Sequence, residues 1–104
     1  MLFVVHALDR AGGRQQRSRN YRAHRAHLDG AGAEGIEIVS AGTLVADDGE
    51  TPVGSRLVLE AGDRAAAEAF CRADPYGANG VWERVEIHPF IRRRGWASPA
   101  SAGI

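Results

Sequence analysis

The chain has 104 residues, of which 44% are hydrophobic and 25% are charged. This composition is typical of one soluble globular domain and excludes the disordered and fibrous classes. Its 13 basic residues are balanced by 13 acidic ones, so no net charge would attract nucleic acid or an anionic membrane. Because no apolar run approaches the length of a membrane helix or a signal peptide, we expect a cytoplasmic protein without nucleic-acid or membrane partners.

The first half of the chain predicts a strand, a helix and a second strand. Residues 1–8, MLFVVHAL, are apolar and rich in β-branched side chains, which is typical of a buried strand. Residues 14–33 predict a helix, with Gly35 suited to a left-handed cap beyond it. Its apolar stripe at helical spacing comprises Tyr21, His24, Leu28 and Ala31. Residues 36–44 alternate as a strand, with one face formed by Ile36, Ile38, Ser40 and Gly42.

The second half predicts a loop, a strand, a helix and a last strand. Residues 46–54 have loop composition and residues 55–60 form the third strand. Asp63 is the predicted N-cap of a helix that runs to Arg72 and ends where Asp74 precedes Pro75. The buried side of this helix is expected to carry Ala66, Phe70 and Ala73. Residues 81–88, VWERVEIH, alternate as the fourth strand, with its core side formed by Val81, Val85 and Ile87.

The order β-α-β-β-α-β predicts a ferredoxin-like α+β domain over residues 1–91, with an antiparallel sheet and both helices on one of its faces. The Arg-rich residues 92–104 are predicted to be a flexible tail. The other face of the sheet carries enough apolar side chains to favour its burial against another protein surface. Two such sheets packed face to face would bury both faces, so we expect a homodimer formed through sheet packing.

Two histidines of the first helix are candidates for chemistry. His24 and His27 are three residues apart and could share a metal, but no further Cys or His is spaced to complete a site. We therefore expect no metal and interpret His27 as a surface residue. His24 lies on the apolar stripe, where a histidine is either a satisfied core residue or faces a pocket.

Asp74 is a candidate partner for His24. Taken alone, the residue is explained as a cap that bonds the backbone of the turn through Tyr76 and Gly77. A carboxylate beside an imidazole would also fix the tautomer of the ring and make it a usable general base. Because such pairs have no fixed spacing, the sequence alone does not establish that the two side chains meet.

Signatures of other catalytic classes are missing from the sequence. Ser40, Ser55 and Cys71 lie in no G-x-S-x-G elbow. Cys71 is the only cysteine, which excludes an intramolecular disulfide, and its apolar helical surroundings predict an inert thiol. Neither a phosphate loop nor a dinucleotide fingerprint occurs, so we expect no cofactor.

Several segments together resemble one known family, the YciI-like (YCII-related) proteins, over nearly the whole chain. The opening MLFVVHALDR is similar to the first strand of the family, which ends in Asp-Lys or Asp-Arg. RAHRAHL resembles its helix motif, and EGIEIVSAG resembles its second strand. The most specific resemblance is ADPY followed by GVWE and HPF.

The resemblance implies a fold of the dimeric α+β barrel superfamily and a pocket that binds a small-molecule ligand. By position, its histidine and the aspartate of its DPY motif are His24 and Asp74, which would be the catalytic residues. Tyr76, Ser40 and Gly42 correspond to pocket-wall positions that would bind substrate. One relative in this family removes chloride from a chlorinated hydroxyhydroquinone, and the superfamily includes muconolactone isomerases and small monooxygenases.

The sequence differs from the family pattern at the pocket edge. Thr43 stands where the family often has proline. Proline and leucine often flank the histidine region of the family, where this chain has Ala23 or Arg22 and Arg25. One extra residue lies between Gly35 and Ala41, which predicts a β-bulge in the second strand.

Two functions are left open at this stage. The first is an enzyme in which His24, oriented by Asp74, moves a proton during an elimination or isomerisation of a small cyclic or hydroxylated aromatic metabolite, while Tyr76 binds a substrate oxygen. The second is a non-catalytic dimeric module that binds a small ligand or serves as an accessory domain. A heme- or metal-dependent monooxygenase would need a proximal ligand that the sequence does not offer.

Overall fold

The computed structural model describes residues 1–95, which form one four-stranded sheet with helices against one of its faces. In chain order the elements are β1 (Leu2–Asp9), α1 (Arg14–Asp29), a 3-10 turn (Ala31–Glu34), β2 (Glu37–Val45), β3 (Pro52–Glu60), α2 (Arg64–Ala73), α3 (Pro75–Ala78) and β4 (Trp82–Phe90). The strands are antiparallel in the order β2-β3-β1-β4. The predicted ferredoxin-like α+β fold is therefore confirmed. The predicted flexible tail lies largely outside the described residues, beyond residue 95.

The first predicted helix is divided into two parts. α1 ends at Asp29, and the backbone N–H of Gly30 closes its last turn on the carbonyl oxygens of Ala26 and His27. A 3-10 turn continues the chain to Gly35, which adopts a φ of 75°. This left-handed conformation is favourable for glycine, which has no Cβ, so the predicted cap is confirmed at that residue.

The second predicted helix has the expected ends but a different buried side. The Asp63 carboxylate accepts a hydrogen bond of 2.8 Å from the Ala66 N–H and caps α2. The buried residues are Ala67, Phe70 and Cys71, whereas Ala73 is exposed. The expectation for Ala73 is wrong because packing against the sheet, rather than the sequence spacing, fixes the rotation of this short helix.

The hydrophobic core lies between the sheet and the helices. Its large, fully buried side chains include Phe3, Val5, Leu57, Leu59, Phe70 and Val81. Val81, just before β4, is fully buried and Ile87 on β4 is partly buried, as predicted, but Val85 is 41% exposed. Val85 faces an open groove between α2 and this edge strand, so its predicted burial is wrong.

A bulge in β2 changes which of its side chains share a face. Ile38 pairs with Leu59, but the next register pair is Ser40 with Val58, so Val39 is the extra residue. The predicted bulge is thus confirmed. Because one extra residue reverses the alternation, Ser40 and Ile38 point to opposite faces, and the predicted single face containing both is wrong.

The helices of residues 1–95 include none that is long and apolar enough to cross a membrane.

Gly54 provides a test of this sheet geometry. A Cβ atom at this position would collide with the backbone carbonyl oxygen of Ala7 on the neighbouring strand, whereas a Cβ atom at Gly42 would have open space. We expect Gly54→Ala to lower the free energy of unfolding by about 2 to 3 kcal/mol. Gly42→Ala is the matched strand control, and the measurement is urea unfolding followed by circular dichroism. Equal stability of the two variants would contradict the register of β1 and β3.

Candidate active site

His24 and Asp74 meet in the interior of the protein, although 50 positions separate them. His24 lies on the buried side of α1, and Asp74 is the single residue between α2 and α3. The His24 Nδ1 atom is 2.8 Å from each carboxylate oxygen of Asp74. The exposed fraction is 8% for His24 and 0% for Asp74. The fold therefore brings together the two residues that the sequence could only suggest as partners.

The Asp74 carboxylate also caps α3. Its Oδ1 atom accepts a hydrogen bond of 2.9 Å from the backbone N–H of Tyr76. Pro75 occupies the first position of this helix, where its missing N–H is no disadvantage. The capping interpretation and the pairing interpretation of Asp74 are therefore both correct, since one carboxylate does both.

The pairing fixes which nitrogen of His24 can accept a proton. An ionised carboxylate only accepts hydrogen bonds, so the Nδ1–H group of His24 donates to Asp74. In the neutral imidazole, Nε2 then keeps its lone pair and can accept a proton. An imidazole held in this tautomer has the free lone pair that a general base requires.

Aromatic neighbours fix the plane of the His24 ring. The ring stacks on Tyr76 with centroids 3.9 Å apart and an angle of 9° between the planes. Trp82 packs edge-on against both rings, at 6.4 Å from His24 and 6.0 Å from Tyr76. Burial raises the pKa of the Tyr76 hydroxyl, and Arg17 acts in the opposite direction. Tyr76 is therefore a neutral phenol at physiological pH.

Arg17 is a site residue that the sequence analysis missed. Its guanidinium is buried, pairs with Asp9 through an Nε to Oδ2 distance of 2.8 Å, and donates to the Gly54 carbonyl oxygen and to Ser55 Oγ at 2.7 Å each. Its Cζ atom lies 4.6 Å from the centroid of the Tyr76 ring. Helical spacing could have indicated Arg17, because it lies on the same face of α1 as Tyr21, His24 and Leu28. A cation was not expected in that stripe, and its burial depends on acceptors from β1 and β3.

A cavity of about 180 Å³ opens beside His24. Its lining residues come from α1, β2, β3 and the start of α3: Arg17, Tyr21, His24, Arg25, Leu28, Ala41, Gly42, Thr43, Ser55, Leu57 and Tyr76. Tyr76 and Gly42 thus lie on the wall implied by the family resemblance. Arg25 and Thr43, where the sequence differs from that family, line the same cavity.

Ser40 does not line the His24 cavity. The bulge turns it to the opposite face of the sheet, where it lines a separate cavity of about 200 Å³ with Arg56 and Val58. Ser40 therefore does not lie at the pocket-wall position that the family resemblance implies for it. The extra residue at Val39 reverses the alternation of side chains along β2.

His27 docks α1 on α2. Its Nε2–H group donates a hydrogen bond of 2.8 Å to the Phe70 carbonyl oxygen, and its ring stacks on Phe70 with centroids 4.2 Å apart. The interpretation of His27 as a surface residue is wrong, since the side chain is half-buried. Within residues 1–95 no three His, Cys, Asp or Glu side chains are grouped so that they could hold a metal ion.

Cys71 is buried between α2 and the sheet, and burial raises the pKa of its thiol to about 12. Because the thiolate is the reactive form, we expect a disulfide reagent at pH 8 to label the folded protein at least about a hundredfold more slowly than the urea-unfolded chain. The measurement is the release of a chromophore from the reagent over time. Equal rates in both states would show that the thiol is accessible and ionised in the folded protein.

Comparisons with known proteins agree with this architecture. The family model of the YCII-related domain matches residues 1–91. Protein YciI from Escherichia coli O6:H1 and Protein YciI from Shigella flexneri are each 37% identical to this chain over 95 residues, which cover 86% of this chain and 96% of each relative.

A solved structure with a bound ligand is also similar. It is 5-chloro-2-hydroxyhydroquinone dehydrochlorinase from Burkholderia phenoliruptrix, in complex with 2,5-dihydroxybenzoquinone. The TM-score is 0.76 at 29% sequence identity, over 88% of this chain and 94% of that one. With the domain match over residues 1–91 and the two relatives at 37% identity, these likenesses show that the chain belongs to the YCII-related domain family.

Proposed function

We propose that the protein is a small-molecule enzyme that transfers a proton on a cyclic or hydroxylated aromatic metabolite, with His24 as general base and acid. The observation that carries this proposal is the buried His24–Asp74 pair at the wall of a 180 Å³ cavity. The likeness to a dehydrochlorinase with a bound dihydroxybenzoquinone supports a planar oxygenated ring as the substrate class.

The proposed reaction begins when His24 Nε2 removes a proton from a saturated carbon of the substrate ring, next to a carbonyl group, as in the keto tautomer of a hydroxylated ring. Asp74 holds the ring in the required tautomer and stabilises the imidazolium that forms. In an elimination, the C–H electron pair forms a double bond while a leaving group departs from the adjacent carbon with its own electron pair. In an isomerisation, His24 returns the proton to another carbon. Tyr76 binds a substrate oxygen in both cases.

Hydrogen exchange tests this activity without knowledge of the natural substrate. We expect the protein to catalyse exchange of ring protons for deuterium in hydroxylated quinones and to release chloride from 5-chloro-2-hydroxyhydroquinone. NMR measures the deuterium exchange, and a chloride electrode measures the chloride release. Thermal stabilisation by these compounds without exchange or chloride release would favour the non-catalytic ligand-binding module instead.

We propose that the sheet face opposite the helices packs on a second copy of the chain. Val4 on β1 points to that face, because its neighbours Phe3 and Val5 are buried under the helices. The strand register places around it both apolar and polar or charged side chains: Leu2, His6, Arg56, Val58, Glu86, His88 and Phe90. Burial of this mixed surface against its symmetric copy supports a homodimer.

Sedimentation of two arginine variants tests the dimer. We expect the wild type to sediment at twice the chain mass of 11.1 kDa, and Val4→Arg to sediment as a monomer, because the buried cation would lack a partner. Val85→Arg is the matched control, since Val85 faces the groove on the helix side of the sheet. A monomeric wild type at micromolar concentration would contradict the proposed assembly.

A further inference from the structure

The hydroxyl group of Ser55 has a proton that no described residue accepts. Ser55 is 3% exposed and lies on β3 at the wall of the His24 cavity. Its Oγ atom is 2.7 Å from Arg17 Nη2 and 3.2 Å from Trp82 Nε1. Both neighbours can only donate, so Oγ accepts from each of them. The O–H proton of Ser55 is therefore left to donate to a further acceptor.

Tyr76 provides a second unpaired hydroxyl at the same cavity. The side chain is 1% exposed, and no residue of 1–95 accepts a hydrogen bond from its buried Oη atom, since the neighbouring Arg17 can only donate. Leaving a buried hydroxyl unpaired costs about 1 to 3 kcal/mol, so an acceptor placed in the cavity would stabilise this group. Since burial keeps this phenol protonated, it is a donor for an acceptor placed in the cavity.

Arg17 directs its guanidinium N–H groups and its positive charge towards this corner of the cavity. Its guanidinium binds Ser55 directly and lies over the ring of Tyr76 at 4.6 Å. Asp9 balances its charge on the side of β1, with both carboxylate oxygens engaged at 2.8 and 3.2 Å. Two O–H donors beside a buried cation favour an oxygen atom that carries negative charge.

We infer that Ser55 and Tyr76, within the field of Arg17, form an oxyanion site that binds the ionised oxygen of an enol or phenol on the substrate ring. This inference rests on the proposed function and assigns its substrate class: ring compounds with a carbonyl group next to an acidic C–H bond. Ser55 and Tyr76 are the donors to the oxyanion, and Arg17 is a positioning residue.

The site supplies the charge balance that proton removal by His24 requires. When Nε2 takes the proton of a C–H bond next to a carbonyl, the C–H electron pair forms the carbon–carbon double bond. The π pair of the carbonyl moves to its oxygen, and the proton remains on His24. No oxidant or reductant is needed, and the new negative charge lies on the oxygen that the two hydroxyls bind.

4-Nitrophenol tests the inference, because its absorbance reports whether it is bound as phenol or as phenolate. We expect the wild type to bind the phenolate about tenfold more tightly than the phenol. Tyr76→Phe and Ser55→Ala should each remove most of this preference. 4-Nitroanisole has the same ring but cannot ionise, and its affinity should change less than about twofold in both variants.

Two controls separate the outcomes. Tyr76→Phe should be at least as stable to urea as the wild type, because it removes an unsatisfied hydroxyl and keeps the ring, so it remains informative even if Ser55→Ala unfolds. His24→Asn should retain the phenolate preference. Wild-type protein that binds both forms equally, or variants that weaken nitroanisole as much as nitrophenol, would overturn the inference. Exchange activity that survives in His24→Asn would instead overturn the proposed function alone.

Discussion

Replacement of His24 by asparagine is expected to reduce catalysed proton exchange by about two to four powers of ten. Asparagine can keep a hydrogen bond to Asp74 but has no group that accepts a proton near neutral pH. The measurement is the rate of deuterium incorporation into a hydroxylated quinone under single-turnover conditions, which isolates the chemical step from product release. Binding of the same compound should persist, since the other residues that line the cavity are unchanged.

His27→Gln is the matched control for this variant. His27 is three residues further along α1, and the glutamine amide can replace its hydrogen bond to the Phe70 carbonyl oxygen. We expect His27→Gln to exchange protons at nearly the wild-type rate. Loss of activity in both variants would attribute the effect to the packing of α1 and would argue against His24 as the base.

Replacement of Asp74 is expected to have the second large effect, and two substitutions separate its two roles. Asp74→Ala removes the acceptor of both the His24 Nδ1–H and the Tyr76 N–H groups, so we expect unfolding to become easier by about 2 to 4 kcal/mol. Activity should be lost as well, because nothing then holds the imidazole in its tautomer. Urea unfolding and exchange rates measure the two effects.

Asp74→Asn is expected to retain most of the stability and still lose the activity. The amide oxygen can accept from Tyr76, but the amide nitrogen donates and favours the tautomer in which His24 carries its proton on Nε2. That tautomer cannot accept a proton from a substrate at Nε2. If Asp74→Asn were fully active, the carboxylate would be a cap only and the pairing would have no catalytic role.

The family resemblance and the fold could both be reached from the sequence because they depend on local patterns. Alternation and helical spacing identified the elements, Asp63 and Gly35 identified helix ends, and Asp74-Pro75 identified a break. Each of these signals acts within a few residues of the chain, where backbone geometry and capping are decided. The bulge in β2 was also readable, as one residue too many before Ala41.

The composition of the site was decided by contacts between distant elements. His24 and Asp74 meet only because α1 and the turn before α3 pack on the same face of the sheet. The bulge at Val39 turns Ser40 away from the His24 cavity. Simple alternation along the sequence would have placed Ser40 on the same face as Ile38.

The sequence by itself determined the order of the strands and helices, the family, and the two residues most suited to acid–base chemistry. The tertiary structure alone decided that Arg17 is buried rather than exposed. The acceptors of its hydrogen bonds, Asp9, Gly54 and Ser55, lie on two strands that the fold packs against α1. The physical reason is that secondary structure follows from near neighbours, whereas the burial of a charge or a hydroxyl depends on partners supplied by the whole fold.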